Sequence, residues 1–232
     1  MNSAKPYLLL SFLLINLSIT WQTATAQEID LGADFVSRYV WRGADVGDAA
    51  SIQPYIEFSA GGFTLGTWAS YSISPASAGF NEHDLYVSYS YGPVSVGVTD
   101  YYFPNAAAPA NEFFNYDNDG EGAHIIEPHI SITGGEAFPL TFYAAITAYN
   151  DPDNSIYLEA SIPFSVKQTT LRFTVGGTPA EGLYASDAAI TNINLAATRT
   201  LKITDHFSLP LFGSYILNPY AEQSYLVFGL SL

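Results

Sequence analysis

The chain has no cysteine, and its few charged residues are mostly acidic. Without cysteine it can form no disulfide, thiolate metal site or thiol nucleophile. Seven lysines and arginines stand against 22 aspartates and glutamates, which gives a formal net charge of −15 at pH 7. Because nucleic-acid binding needs a basic face, this balance excludes nucleic acid as a partner. Charged residues make up 12% of the chain, about half the usual share in soluble domains.

The sequence also has no apolar run of the roughly 20 residues that a membrane helix needs. The apolar run Leu8–Ile19 has only twelve residues, follows Lys5 and precedes the small residues Ala24-Thr25-Ala26. A positive start, a short apolar core and a small-x-small site are typical of a secretory signal peptide. We therefore expect residues 1–26 to be a cleaved signal peptide and residues 27–232 to be the mature domain.

Apolar and polar residues alternate through the mature region. From Ile29 to Phe35 and from Ile52 to Phe58, every second residue is apolar, and polar residues or glycine lie between. This pattern predicts strands with one apolar face. The predicted strands have about 9 to 15 residues, whereas soluble strands usually have about 5–6 and membrane-crossing strands about 9–11. We predict twelve strands, with approximate spans 28–42, 50–60, 63–73, 83–91, 94–103, 124–134, 137–149, 155–165, 168–178, 187–201, 206–217 and 223–232.

The predicted connections alternate between short and long. The tight ones follow even-numbered strands and are Gly61-Gly62, Gly92-Pro93, Gly135-Glu136 and Val166-Lys167. The longest, 104–123, follows an odd-numbered strand. Short turns at one end, long loops at the other and an even strand count are typical of bacterial outer-membrane barrels. We therefore predict an all-β fold, a transmembrane antiparallel up-and-down β-barrel in contact with outer-membrane lipid and lipopolysaccharide; a secreted β-sandwich is the alternative.

Aromatic residues gather near the ends of the predicted strands. Those near the long-loop ends are Tyr39, Trp41, Tyr71, Tyr101, Tyr102, Phe103, Tyr149 and Tyr215. Those near the short-turn ends are Phe63, Tyr89, Tyr91, Phe138, Phe164 and Phe207. A general preference of aromatic residues for strands explains their number but not their position. The pattern predicts two aromatic belts at the two membrane–water interfaces.

The segment Ser37-Arg38-Tyr39-Val40-Trp41-Arg42-Gly43 resembles the opening motif of the TorF-type porins, a family also catalogued as Gcw_chp. Further matching motifs follow in the same order: Gly62-Phe63, Gly66-Thr67-Trp68-Ala69-Ser70, Asp84-Leu85-Tyr86 and Tyr101-Tyr102-Phe103-Pro104. The resemblance covers mainly residues 31–104, and later segments such as Ile156-Tyr157-Leu158-Glu159 fit loosely. It implies an outer-membrane barrel with porin function, and it carries no catalytic residues over to this chain.

The alternation assigns a set of ionisable residues to the polar face of the predicted barrel. They are Asp34, Arg38, Arg42, Glu57, Glu127, His129, Glu159 and Arg172. An arginine or lysine facing lipid at the midplane would cost about 2–4 kcal/mol, which favours inward placement. Two interpretations stay open: a salt-bridged plug in a closed structural or surface-interaction barrel, and a water-filled path for small solutes or ions. Because carboxylates outnumber guanidinium groups on this face, we expect an open path to prefer cations.

Two motifs point to other chemistry. Glu127-Pro128-His129-Ile130-Ser131 places a histidine and a serine two residues apart, as in outer-membrane lipid hydrolases. The alternation turns this pair inward and no glycine-bearing nucleophile motif surrounds it, so a lipid-modifying enzyme is the weaker alternative and no catalytic residue is expected. Residues 115–121 match the first half of a calcium loop, but Ile126 stands at its twelfth position. We therefore expect no metal or cofactor.

Overall fold

The computed structural model describes residues 27–74, 81–104, 110–118 and 122–232. The predicted signal peptide and part of the calcium-like loop, residues 119–121, lie outside these ranges. Among the described residues, no helix is long and apolar enough to cross a membrane.

Strands dominate the described structure, and they form a closed barrel and one small hairpin. In chain order they are β1 (Glu28–Val36), β2 (Val40–Trp41), β3 (Ala44–Asp45), β4 (Ser51–Ala60), β5 (Phe63–Ser72), β6 (Glu82–Tyr91), β7 (Val94–Tyr102), β8 (His124–Thr133), β9 (Thr141–Ile146), β10 (Ile156–Val166), β11 (Thr169–Thr178), β12 (Ala189–Lys202), β13 (Ser208–Asn218) and β14 (Gln223–Ser231). Strands β1 and β4–β14 form the twelve-stranded antiparallel barrel, and β2 pairs with β3 in a separate sheet. The predicted fold class is confirmed.

The barrel closes through pairing of the first and last strands. Asp34 lies opposite Ser231, and Val36 lies opposite Gly229. Ala33 and Leu232 exchange two backbone hydrogen bonds of 3.0 Å each. This pairing joins the first and last strands of the sheet into a barrel, and closure of the sheet is what allows a β-structure to lie in lipid.

The apolar side of each strand faces outward, as predicted. Ile29 and Leu31 are 70% exposed, and Leu226 is 73% exposed. The aromatic residues predicted for the short-turn belt are also exposed on the described surface: Phe63, Tyr89, Tyr91, Phe138, Phe164 and Phe207. The outer wall therefore presents apolar strands bordered by aromatic side chains at one end.

Most predicted strand limits agree with the structure within two residues, but two spans were wrong. The span 137–149 is reduced to β9 because residues 134–140 form a wider turn. The span 28–42 ends at Val36, and residues 37–48, which we call the inner hairpin, leave the wall. Arg42 and Gly43 both have positive φ, 50° and 85°. Positive φ at both central residues is the signature of a type I′ hairpin turn. The chain therefore reverses direction at residues 42–43, where a continuous wall strand was predicted.

Candidate functional site

The interior of the barrel is lined by the polar side of each strand, and its larger side chains lie along the wall. Tyr86 is the cross-strand partner of Gly66. A Cβ atom built on Gly66 would lie 2.4 Å from the Tyr86 hydroxyl, so the ring occupies the space over the glycine. Tyr55 covers Gly32 in the same way, at 2.9 Å. This arrangement keeps the bulky rings against the wall and away from the barrel axis.

Near the short-turn end, two acidic side chains face each other across neighbouring strands. Asp30 on β1 pairs in register with Glu57 on β4. Directly opposed like charges destabilise a sheet unless they are compensated. Here hydroxyl groups donate to both: Tyr55 to Asp30 at 3.3 Å and Tyr86 to Glu57 at 3.1 Å. The result is an acidic patch on the inner wall. The tyrosine hydroxyl groups stabilise its carboxylates by hydrogen bonds but do not neutralise their charge.

Toward the long-loop end, the inner hairpin carries Arg42 into the lumen, where it meets Glu127 of β8. The two N–O distances of this bidentate ion pair are 2.6 and 2.9 Å. The side chains are 7% and 1% exposed. Tyr101 donates to Glu127 at 3.0 Å, and Arg42 donates to the Tyr143 hydroxyl at 3.0 Å. Such charge-assisted bidentate pairs are strong and geometrically specific.

Aromatic rings enclose the Arg42 guanidinium. Its central carbon lies 4.3 Å from the ring centroids of both Trp41 and Tyr157, and 5.5 Å from those of Tyr143 and Tyr184. Cation–π contacts within about 6 Å are attractive, more so when the cation is desolvated. Because these rings come from the inner hairpin, β9, β10 and the loop before β12, the cluster reaches several parts of the wall. It occupies part of the interior at this level.

Side chains of the wall also hold the inner hairpin through hydrogen bonds to its backbone carbonyl groups. Thr191 of β12 donates to the Arg42 carbonyl oxygen at 3.2 Å, and Asn218 of β13 donates to the Gly43 carbonyl oxygen at 3.0 Å. A Cβ atom on Gly43 would lie 1.9 Å from the Thr191 carbonyl oxygen, so only glycine fits this approach. Between the hairpin and the long-loop mouth lies a cavity of about 350 Å³, lined in part by Tyr101.

The structure brings only some of the eight predicted interior residues together. Arg42 and Glu127 form the central pair described above. Arg38 does not lie on a wall strand as predicted; within the inner hairpin it pairs with Asp45, and with Asp48 at 2.9 Å. This correction follows from the reversal at residues 42–43.

The other predicted interior residues lie apart on the wall. Asp34 accepts a hydrogen bond from Ser231 at 2.6 Å, and Glu159 accepts one from Tyr157 at 2.9 Å. Arg172, which is exposed, donates to Ser161 at 3.2 Å. Together with Glu57, these residues distribute charge around the lumen and do not form one cluster.

The possible hydrolase motif does not assemble into a catalytic triad. Glu127, which would have to orient His129, is engaged by Arg42. The Nδ1 atom of His129 is buried and has no hydrogen-bond partner among the described residues. Its ring stacks on Tyr143 at 5.5 Å, and Ser131 lies opposite Tyr143 in the register. His129 is therefore a wall residue packed over Gly97, whose Cβ would lie 2.5 Å from its Nε2.

The aromatic belt predicted for the long-loop end was wrong in part. Trp41 and Tyr101 point into the lumen, where their rings lie 5.7 Å apart. Tyr102 faces outward but is 8% exposed, because the segment 110–118 folds over it and Tyr102 donates to the Asn111 carbonyl oxygen at 2.6 Å. The same segment covers His124, which is completely buried and pairs with Asp100 at 2.8 Å.

The prediction missed two buried acids, Glu82 and Asp84, at the start of β6. It also missed the contribution of Tyr143, Tyr157 and Tyr184 to the central cluster. The alternation of β6 contained a signal for the acids, because Asp84 and Tyr86 share a face opposite Leu85. No signal of this kind exists for Tyr184, which reaches the lumen from a loop.

Comparisons with known proteins are consistent with this architecture. The profile of a family described as "Bacterial protein of unknown function (Gcw_chp)" matches residues 22–210. A solved structure titled "KdgM porin" is similar over 86% of this chain and 97% of its own, with a TM-score of 0.51 and 11% sequence identity. At this identity, the likeness shows the fold alone. No curated protein matches the chain.

Proposed function

The chain belongs to the Gcw_chp family of bacterial proteins, and we propose that it is a narrow, passive, porin-like channel of the outer membrane. It admits ions and small hydrophilic solutes, prefers cations and has no enzymatic activity. The observation that carries the proposal is a closed barrel with an apolar outer wall and a charged inner wall. A porin is also the named activity of a similar solved structure. The motif at residues 37–43 supports assignment to the TorF type.

The inner wall supports cation preference once its ion pairs are taken into account. Arg42 is neutralised by Glu127, and Arg38 is neutralised by acids of its own hairpin. Of the three arginines predicted to line the pore, Arg172 alone has no carboxylate partner among the described ion pairs. The inner wall also carries the carboxylates of Asp30, Asp34, Glu57 and Glu159, which outnumber this arginine. Charged rings of one sign select ions of the other.

The constriction around Arg42 sets the size limit of this channel. Twelve strands lie between eight-stranded barrels, which side chains fill, and sixteen-stranded porins, which are open. In this barrel, the inner hairpin occupies part of that intermediate lumen, so the remaining path suits ions and the smallest polar solutes. We propose that the hairpin acts as a size filter.

A closed structural barrel is the second candidate, because the Arg42–Glu127 cluster reaches several strands of the wall. Swelling of proteoliposomes in polar solutes of graded size separates the two. We expect the wild type to admit only the smallest solutes, and the double variant Arg42→Ala/Glu127→Ala to admit larger ones. If the refolded wild type is no more permeable than protein-free liposomes, even to the smallest solutes, the barrel is closed and the channel proposal is wrong.

A further inference from the structure

Two neighbouring carboxyl groups on β6 are buried on the inner wall. Glu82 is 3% exposed and Asp84 is 8% exposed. Residues two apart in a strand share a face, so both side chains point to the same side of the sheet. The two carboxyl groups are therefore neighbours on one buried face of β6. Because neighbouring carboxylates repel each other, the pair requires a compensating proton or cation.

No arginine of the inner hairpin neutralises this pair. Arg38 is paired with Asp45 and Asp48, and Arg42 is paired with Glu127. Within the described part of the chain, no ion pair includes Glu82 or Asp84. Tyr39 donates to Glu82 at 3.3 Å, which is a long contact to a neutral group. A buried charge without a partner is costly, so a compensating positive charge is needed here.

A neighbouring hydroxyl provides a second, independent observation. Ser70 of β5 is the register partner of Glu82, and it is 1% exposed. Its Oγ atom has no hydrogen-bond partner among the described residues, and neither does Oδ1 of Asp84. If the acids needed only a shared proton, the serine hydroxyl could donate to a carboxylate beside it. Instead, the Oγ atom of Ser70 and the Oδ1 atom of Asp84 both lack a hydrogen-bond partner, and they lie on the same face of the paired strands β5 and β6.

We propose that Glu82, Asp84 and Ser70 bind a divalent cation of calcium size at the inner wall of the barrel. Two carboxylates balance a charge of +2, and hard oxygen donors are the ligands that calcium prefers. Calcium tolerates an irregular set of 6–8 oxygen ligands, whereas magnesium demands near-octahedral geometry. The Tyr39 hydroxyl lies beside the site, and water completes the coordination.

The donor set places this site among weak calcium sites. No group of three or more histidine or acidic side chains able to hold a metal occurs in the described ranges. With two carboxylates and hydroxyl oxygens, the expected dissociation constant is that of extracellular calcium modules, about 0.1–1 mM. The site depends on the fold of β5 and β6 and does not depend on whether the lumen conducts.

Terbium luminescence tests the site directly, because terbium replaces calcium and is excited through a nearby tryptophan. Trp68 is the register partner of Asp84 and packs 5.4 Å from the ring of Tyr39. We expect saturable terbium luminescence in the refolded wild type that calcium displaces. Glu82→Gln and Asp84→Asn should each weaken binding at least about tenfold. The matched control is Asp153→Asn, which removes an exposed loop acid and should leave binding unchanged.

Two outcomes would overturn the proposal. Absence of saturable luminescence would assign the pair to proton sharing, and unchanged affinity in both acid variants would place the ion on the exposed acids of the loops. If an acid variant fails to refold, as judged by gel mobility before and after boiling, Ser70→Ala keeps both carboxylates and should still weaken binding several-fold. Conductance is measured separately: a barrel that binds terbium but does not conduct contradicts the channel, not this site.

Discussion

Arg42 and Glu127 form a bidentate ion pair inside the barrel, at 2.6 and 2.9 Å, although 85 residues separate them in the sequence. Arg42 belongs to the inner hairpin and Glu127 belongs to the wall strand β8. The pair therefore attaches the hairpin to the wall and occupies the interior at this level. Aromatic rings shield it from water, so its stability depends on keeping both partners.

Removing one partner of this pair should destabilise the barrel strongly. Arg42→Ala leaves Glu127 as a buried, uncompensated charge, which costs about 3–5 kcal/mol in comparable cases. Arg42→Ala/Glu127→Gln should be less destabilising, because no unpaired charge is left. Denaturant unfolding of the refolded barrels measures both effects.

Arg199→Ala is the matched control for the arginine. Arg199 is exposed and lies 3.4 Å from Gln168, a long contact, so its removal should change stability by less than about 0.5 kcal/mol. If Arg42→Ala is no more destabilising than Arg199→Ala, the central pair does not hold the hairpin.

Gly66 of the inner wall and Gly213 of the outer wall should differ sharply in their tolerance of alanine. A Cβ atom at Gly66 meets Tyr86 at 2.4 Å, whereas one at Gly213 lies 3.4 Å from the nearest atom. Gly66→Ala should displace Tyr86 from Glu57 and cost about 1–3 kcal/mol, as overpacking substitutions do. Gly213→Ala should be nearly neutral. Equal unfolding midpoints for the two variants would show that the ring does not need the space over Gly66.

The preference for cations over anions should depend on the wall charges that have no ion-pair partner. In a salt gradient, the reversal potential of the wild type should indicate cation preference. Glu57→Gln should reduce that preference, and Arg172→Gln should increase it. Because screening limits the reach of exposed charges to about 10 Å at 0.1 M salt, the loop variant Asp153→Asn should have a visible effect only in dilute salt. Anion preference in the wild type would mean that the arginines govern the constriction.

The turn before β10 should loosen in acid. Burial opposes ionisation of Asp151, but hydrogen bonds from Thr147 and from the Ser155 and Asp153 backbone N–H groups outweigh it and lower the pKa of Asp151. A lowered pKa means that the stabilisation is complete above the ordinary value of about 3.9 and is lost as pH falls through the lower folded value. Hydrogen exchange across residues 147–155 should therefore accelerate, beyond its intrinsic pH dependence, as pH falls below about 4. Asp151→Asn should abolish this additional change; its persistence in that variant would exclude Asp151 as the cause.

Much of the wall could be predicted from the sequence because apolar and polar residues alternate along each strand that faces lipid on one side. The alternation around Ile29 and Ile56 fixes which face is apolar, and short turns such as Gly61-Gly62 fix where strands end. Both signals lie within a few residues of the feature that they predict. Consequently, the number of barrel strands, most of their limits and the direction of their apolar faces were correct.

The interior could not be predicted to the same degree, since it is built by contacts between distant residues. Arg42 takes a positive φ that arginine rarely adopts, and the turn is held by Thr191 and Asn218, which follow 149 and 175 residues after Arg42 and Gly43. Alternation continued through residues 37–42 and therefore predicted a wall strand. Tyr184 was missed for the same reason, because its position depends on how a loop folds over the lumen.

Single-channel recording on the refolded, signal-free protein in planar bilayers tests the channel most directly. We expect small, discrete conductance steps in the wild type and larger steps in Arg42→Ala/Glu127→Ala, because removal of the central pair frees the part of the interior that it occupies. Bilayers that stay silent with wild-type protein whose folding is verified by a mobility shift on boiling would contradict the account. They would leave a closed barrel in which Arg42 and Glu127 are purely structural.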